Sequence, residues 1–153
     1  MDHYRPPRIG EIYLMRFGGE GSEQDGLRPG LVFQNNTGNL HSPNIIALPI
    51  TSSLKKAGQP THVILYAHDT GLKRDSMVLC ENPECLSKGR IGRYLTTLSA
   101  QYMRQIAEAS LLATSAISYL DVDLLHTIWE RASGLNEKTA DGGAQYVQRG
   151  SQG

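Results

Sequence analysis

Surplus charge is missing from this chain, whose 153 residues carry 15 Lys and Arg against 15 Asp and Glu. With no global field to steer it toward a polyanion, any groove for one has to be local. The cancellation is uneven: twelve basic against ten acidic residues over 1–113, and three against five over 114–153. That permits a local basic groove without requiring one. Cysteine is scarce too, with only Cys80 and Cys85. A zinc site would need two more ligands clustered nearby, and we expect reduced, structural thiols. No apolar run approaches the roughly 20 residues of a membrane span. Met1–Gly10 is polar and proline-bearing, without the apolar core of a signal peptide, so the expectation is a soluble, cytoplasmic protein. Tyr and Phe are sparse in strand positions, which leaves no base-stacking platform. His3, His41, His62, His68 and His126 show no metal-ligand spacing. No metal and no cofactor are expected.

What remains reads as one domain with a single core. Residues 9–98 are β-rich, with short apolar runs set between Gly, Asn, Pro and Ser clusters. Expected strands are Glu11–Phe17, Gly30–Gln34, Ile45–Ile50, His62–Tyr66, Ser76–Glu81 and Arg93–Thr97. Leu31-Val32-Phe33 and Ile45-Ile46-Ala47-Leu48 are continuously apolar, which suits the interior of a small barrel or tightly curled sheet. At Ser99 the period changes. Ser99 is an N-cap, and Met103, Ile106, Ala107 and Leu111 recur at helical spacing to about Ser115. A second helix is expected from an Asp121 cap to Ser133, with Val122, Leu125, Ile128, Trp129 and Ala132 on its apolar side. Gly134 stands where a helix-ending glycine belongs. The expected organisation is a barrel unit with the first helix (1–118), an added helix (119–134) and a disordered tail (135–153). The added helix carries enough apolar area that it is expected to pack on the barrel or on a second copy.

The chemistry-bearing stretch is Gly21–Asn36. A glycine-bracketed polar loop delivers one arginine, Arg28, to the mouth of an apolar strand, and Pro49-Ile50-Thr51-Ser52 ends a neighbouring strand in two hydroxyls. A guanidinium fork can hold phosphate oxygens bidentately, and a hydroxyl both donates and accepts. Such a pair suits a phosphate that gains charge during reaction. The plainer alternatives are a surface ion pair of Arg28 with Glu23 or Asp25, and a strand-end threonine bonded to its own turn.

Gly10-Glu11-Ile12-Tyr13, Gly21-Ser22-Glu23-Gln24 with Gly26 and Arg28-Pro29, Gln34-Asn35, Asn39 with Ser42-Pro43, Pro49-Ile50-Thr51-Ser52, Pro60-Thr61-His62-Val63, and Gly71-Leu72 with Asp75-Ser76 follow in order over roughly residues 9–113. In that order and with nearly that spacing, the chain resembles the MazF/PemK-type toxins, mRNA interferases of type II toxin–antitoxin pairs. The resemblance implies a mainly β fold with α: an SH3-like small barrel of the PemK/CcdB type plus C-terminal helices, assembled as a homodimer. It implies a sequence-specific, metal-independent endoribonuclease that cleaves single-stranded mRNA by 2′-OH attack, leaving a 2′,3′-cyclic phosphate and a 5′-OH. A cognate antitoxin would neutralise it. Arg28 matches the family's catalytic arginine and Thr51 its catalytic threonine. Glu81 aligns with a carboxylate that is the general base in the PemK/Kid branch. Two residues earlier that branch has an acid arginine where this chain has Leu79, which leaves the acid role to Arg28. Glu84 replaces a basic residue of the family. Ser22, Glu23, Gln24, Asn36, Ser52, Asn82 and Arg90 are the expected RNA contacts, with Lys88 and Arg93 beside Arg90 on a basic rim. Two other functions stay open: a gyrase-inhibiting toxin of the CcdB kind, against which Arg28 and Thr51 argue, and a non-catalytic SH3-like interaction module, which Leu79 and Glu84 keep in play.

Overall fold

The strands β2 (Leu27–Val32) and β3 (Asn44–Thr51) run antiparallel, with Leu31 opposite Leu48 and Val32 opposite Ala47. Successive residues of a strand point to opposite faces, so these two apolar pairs bury two different surfaces. Leu31 and Leu48 join Ile12, Ile50, Val63, Val78 and Ile106 in one core, while Val32 and Ala47 join Met15, Phe17, Ile45 and Leu86 in another. A continuous apolar run is thus the mark of a strand covered on both sides. Each fully buried Leu or Ile in it contributes about 1.5–3 kcal/mol.

The computed structural model describes residues 5–18 and 26–137. Around the central pair stand β1 (Glu11–Arg16), β4 (His62–Leu65), β5 (Ser76–Leu79), β6 (Glu84–Ser87) and β7 (Ile91–Thr97). All pairs are antiparallel in the order β4-β5-β3-β2-β1-β7, with β6 also paired to β3. The fold is mainly β with α, as expected. A short helix α1 (Asn36–His41) bridges β2 and β3, and α2 (Ala67–Thr70) follows β4. Helix α3 (Ala100–Leu112) starts at Ser99, whose hydroxyl accepts from the Tyr102 N–H, and buries Ile106 and Ala109 in the first core. Helix α4 covers Val122–Glu137, with Asp121 accepting from the Leu124 N–H at 2.8 Å.

One strand, β3, serves two neighbours along its second edge. Asn44–Ala47 pair with β6, and Ile50 and Thr51 pair with β5. Pro49 lies in the gap between those two partners. Proline has no N–H to leave unpaired, so it suits the place where a strand changes partner.

Two expectations need correction. Beyond the strands foreseen, β6, α1 and α2 are regular elements. Helix α4 runs through Gly134 to Glu137 rather than stopping at Ser133, because Gly134 is not among the glycines with positive φ and so does not make a left-handed cap. Within one chain, most of its apolar side stays open. The helix lies against α1, where the Thr37 hydroxyl donates to the Leu135 carbonyl at 3.1 Å, yet Trp129 remains 73% exposed. The tail beyond residue 137 lies outside the described residues.

Gly30 is a contact point rather than a hinge. A Cβ placed there would come within 2.5 Å of Met15 Sδ and 2.7 Å of Phe17 Cζ. Gly30→Ala should therefore lower stability by about 1–3 kcal/mol through overpacking, measured as a shift in the urea midpoint at unchanged slope.

Candidate active site

The β2–β3 ladder ends where Gly30 pairs with Pro49. Arg28, two residues before Gly30 and the second residue of β2, pairs with Met15 of β1 and has an exposed side chain. Thr51, two residues after Pro49, pairs with Met77 of β5. Among the described residues no carboxylate pairs with it; Glu23 and Asp25 lie outside them.

A cavity of about 400 Å³ opens beside Pro49, lined by Phe17, Gly18, Arg28, Pro49, Leu79, Glu81, Asn82, Pro83 and Glu84. Pro49 separates its two sides. Arg28 comes from β2 on one edge of β3, and the Glu81–Glu84 turn comes from the junction of β5 and β6 on the other. Arg28 and Glu81 line the same cavity without forming an ion pair. Thr51 is not part of that lining. Its Oγ1 accepts from the Ser53 N–H at 3.1 Å, which uses a lone pair and leaves the hydroxyl hydrogen to rotate outward. Ser52 is exposed beside it.

Glu81 is held by a histidine that the sequence spacing had set aside. His62 Nε2 lies 2.7 Å from Glu81 Oε1, and His62 Nδ1 lies 2.7 Å from the Lys56 carbonyl oxygen. Partial burial works against the Glu81 charge. Hydrogen bonds from His62, from its own backbone N–H and from Thr61 outweigh that, and its carboxyl is held below the usual carboxylate range. The only sequence signal for this pairing was His62 inside Pro60-Thr61-His62-Val63; convergence with a turn 19 residues away is not legible from spacing. Cys80, next to Glu81, is buried in the first core, and burial pushes its thiol up to about 11. It is inert apolar filling. Cys85 is exposed.

The other expected contacts divide. Asn82 lines the cavity. Arg90 reaches its rim: Nη1 donates to the Arg16 carbonyl at 3.2 Å and lies over Gly18, a lining residue. Ser22, Glu23 and Gln24 lie outside the described residues. Asn36 is set inside the fold. It is 7% exposed, and its Oδ1 accepts from the Ile9 N–H at 2.8 Å and from Asn39 Nδ2 at 3.2 Å. Asn39 Nδ2 also donates to the Gln34 carbonyl, and Asn35 caps α1. The asparagine cluster is internal scaffolding that ties the N-terminal segment to the β2–α1 corner.

Comparison with known proteins places this geometry. Residues 8–112 match the family model for PemK-like, MazF-like toxins of type II toxin–antitoxin systems. The chain is 38% identical over 123 residues to the endoribonuclease MazF of Staphylococcus saprophyticus, covering 79% of this chain and 94% of that one. Among solved structures it is similar to an endoribonuclease in complex with its cognate antitoxin from a mycobacterial species, with 27% identity, TM-score 0.60, and coverage of 72% of this chain and 96% of that one. It is equally similar to MazF from Deinococcus radiodurans, with 27% identity, TM-score 0.60, and coverage of 71% and 96%.

Replacing Asn36 by Ala removes the acceptor for two donors in a buried corner. We expect a stability loss of about 1–3 kcal/mol, read by thermal or urea denaturation.

Proposed function

The chain belongs to the PemK-like, MazF-like toxins of type II toxin–antitoxin systems, and on that premise we propose how this endoribonuclease breaks RNA. A single-stranded RNA lies across the cavity with the scissile phosphate over Pro49, between Arg28 and Glu81. The 2′-oxygen of the nucleotide on the 5′ side attacks phosphorus while the P–O5′ bond breaks, giving a 2′,3′-cyclic phosphate and a free 5′-OH. Glu81 takes the 2′-OH proton. Arg28 binds the non-bridging oxygens as they gain charge, where a planar fork matches the phosphorane, and it is the donor at hand for the departing O5′. The Thr51 hydroxyl, with its hydrogen free to rotate, holds a phosphate oxygen from the opposite strand. Because the guanidinium supplies the positive charge, the reaction proceeds without a metal ion. The observation that carries this reading is the cavity that brings Arg28 and Glu81 to either side of Pro49 without letting them neutralise each other.

Asn82, Ser52 and Arg90 contact the strand on either side of the cleavage point. Ser22, Glu23 and Gln24, in the sequence between β1 and β2, contribute further contacts. The cleavage unit is residues 1–118, to which α4 adds a further helix. A homodimer is the working assembly, and a cognate antitoxin blocks the groove, a reading supported by the similar endoribonuclease solved with its antitoxin.

The test is cleavage of a single-stranded RNA by purified protein in EDTA, with product ends analysed. The expected result is undiminished cleavage leaving 2′,3′-cyclic phosphate. Arg28→Ala should lower kcat by about 10²–10³-fold, Thr51→Ala by a smaller factor, and Glu81→Gln by about 10²-fold or more. Full activity in Arg28→Ala, or products ending in 3′-OH, would overturn the mechanism.

A further inference from the structure

We propose that His62 is a positioning residue for RNA cleavage: it stands as an imidazolium between the Lys56 carbonyl and Glu81, and so presents Glu81 to the cavity as an oriented carboxylate. This rests on the reading of Glu81 as the proton acceptor, and goes beyond it by saying what makes Glu81 fit for that role.

The protonation state follows from what His62 faces. A carbonyl oxygen only accepts, so Nδ1, 2.7 Å from Lys56 O, carries a hydrogen. Nε2 lies 2.7 Å from Glu81 Oε1, a distance that requires one proton between them. Neutral imidazole with its hydrogen on Nδ1 would turn a lone pair toward the carboxylate. In the proposed arrangement that proton sits on Nε2 and Glu81 stays charged. The shift of the Glu81 carboxyl below its usual range agrees with this.

The frame around the ring is fixed. The His62 side chain is 4% exposed, against 33% for Glu81. The Lys56 carbonyl also accepts from the Gln59 N–H, and the loop closes with His62 N–H on the Gln59 carbonyl. On the opposite strand His62 pairs with Leu79, and Cys80 N–H donates to the Thr61 carbonyl, which anchors the start of the Glu81 turn. Among the described residues, Glu81 is the charged side chain in contact with the ring; the loop offers the Lys56 carbonyl and, through Thr61, a hydroxyl to Glu81. The imidazolium also alters the charge of the site. Arg28 stands against two carboxylates, Glu81 and Glu84, in the cavity lining, and a cation behind Glu81 restores neutrality where a phosphate must approach.

Two measurements test this on the full-length protein. The first is the ¹⁵N and ¹H NMR spectrum of the His62 ring near neutral pH, which should show both nitrogens protonated. An unprotonated Nε2 would overturn the proposal whatever the activity. The second is the pH profile of kcat/KM on a single-stranded RNA oligonucleotide that the wild type cleaves. A carboxyl held below its ordinary value keeps its charge until the pH falls through that lowered value. His62→Leu should therefore move the acid limb to higher pH. His62→Gln, whose amide can still donate to Glu81, should restore part of that shift. If folded His62→Leu loses rate equally at every pH, with its acid limb unmoved, while Glu81→Gln is inactive, the positioning role is wrong. If instead Glu81→Gln cleaves like the wild type, the proton-acceptor reading beneath it fails.

Discussion

The site depends on β3 being shared. Along one edge this strand holds β2, and along the other it hands over from β6 to β5. A strand that changes partner must have a place where its edge is unpaired, and the backbone there must not bury an orphan donor. Pro49 meets that condition by having no N–H. Pro49 lines the cavity, and the chain connecting the two successive partners must cross the gap beside it. That crossing is the Glu81–Glu84 turn. Arg28 arrives from the other side through the β2–β3 register. The convergence of a guanidinium with a carboxylate is therefore a consequence of strand pairing, and needs no flexible loop to assemble it.

The rigidity of the arrangement comes from close contact. Met15 and Phe17 cross over Gly30 with no room for a side chain, and Phe17 then forms a wall of the cavity. Packing in the second core and the shape of the site are thus the same fact seen from two sides. The corner opposite is tied by Asn36 and Asn39, which satisfy buried backbone groups at the start of the chain and at the end of β2.

Much of this was legible in the residues. Apolar runs at Leu31–Phe33 and Ile45–Leu48 announced strands covered on both faces, and Ser99 and Asp121 announced helix starts, because both are written in local chemistry. Helix α1 was not, since Asn36-Thr37-Gly38-Asn39 has poor helical propensity and holds its shape through an asparagine cap and the long-range bonds of Asn36 to Ile9 and of Thr37 to Leu135. Strand β6 is short and begins at the polar Glu84, so alternation had little to register. Arg28, Thr51 and Glu81 could be singled out by type and position. Their relation could not, because the strand pairing that brings Arg28 and Glu81 to one cavity and the fold that brings His62 to Glu81 are long-range. The burial of Asn36 was not legible either, because its amide oxygen accepts from the Ile9 N–H, 27 residues away in sequence.

Helix α4 has a use of its own in solution. It carries the single tryptophan of the chain, and that indole faces water on an element that does not line the cavity. Its emission is therefore a built-in optical label for one surface alone. A protein that covers this helix will shift the spectrum toward the blue, whereas a nucleotide strand seated over Pro49 will leave the colour of the light unchanged, so docking and substrate capture can be followed separately in one cuvette.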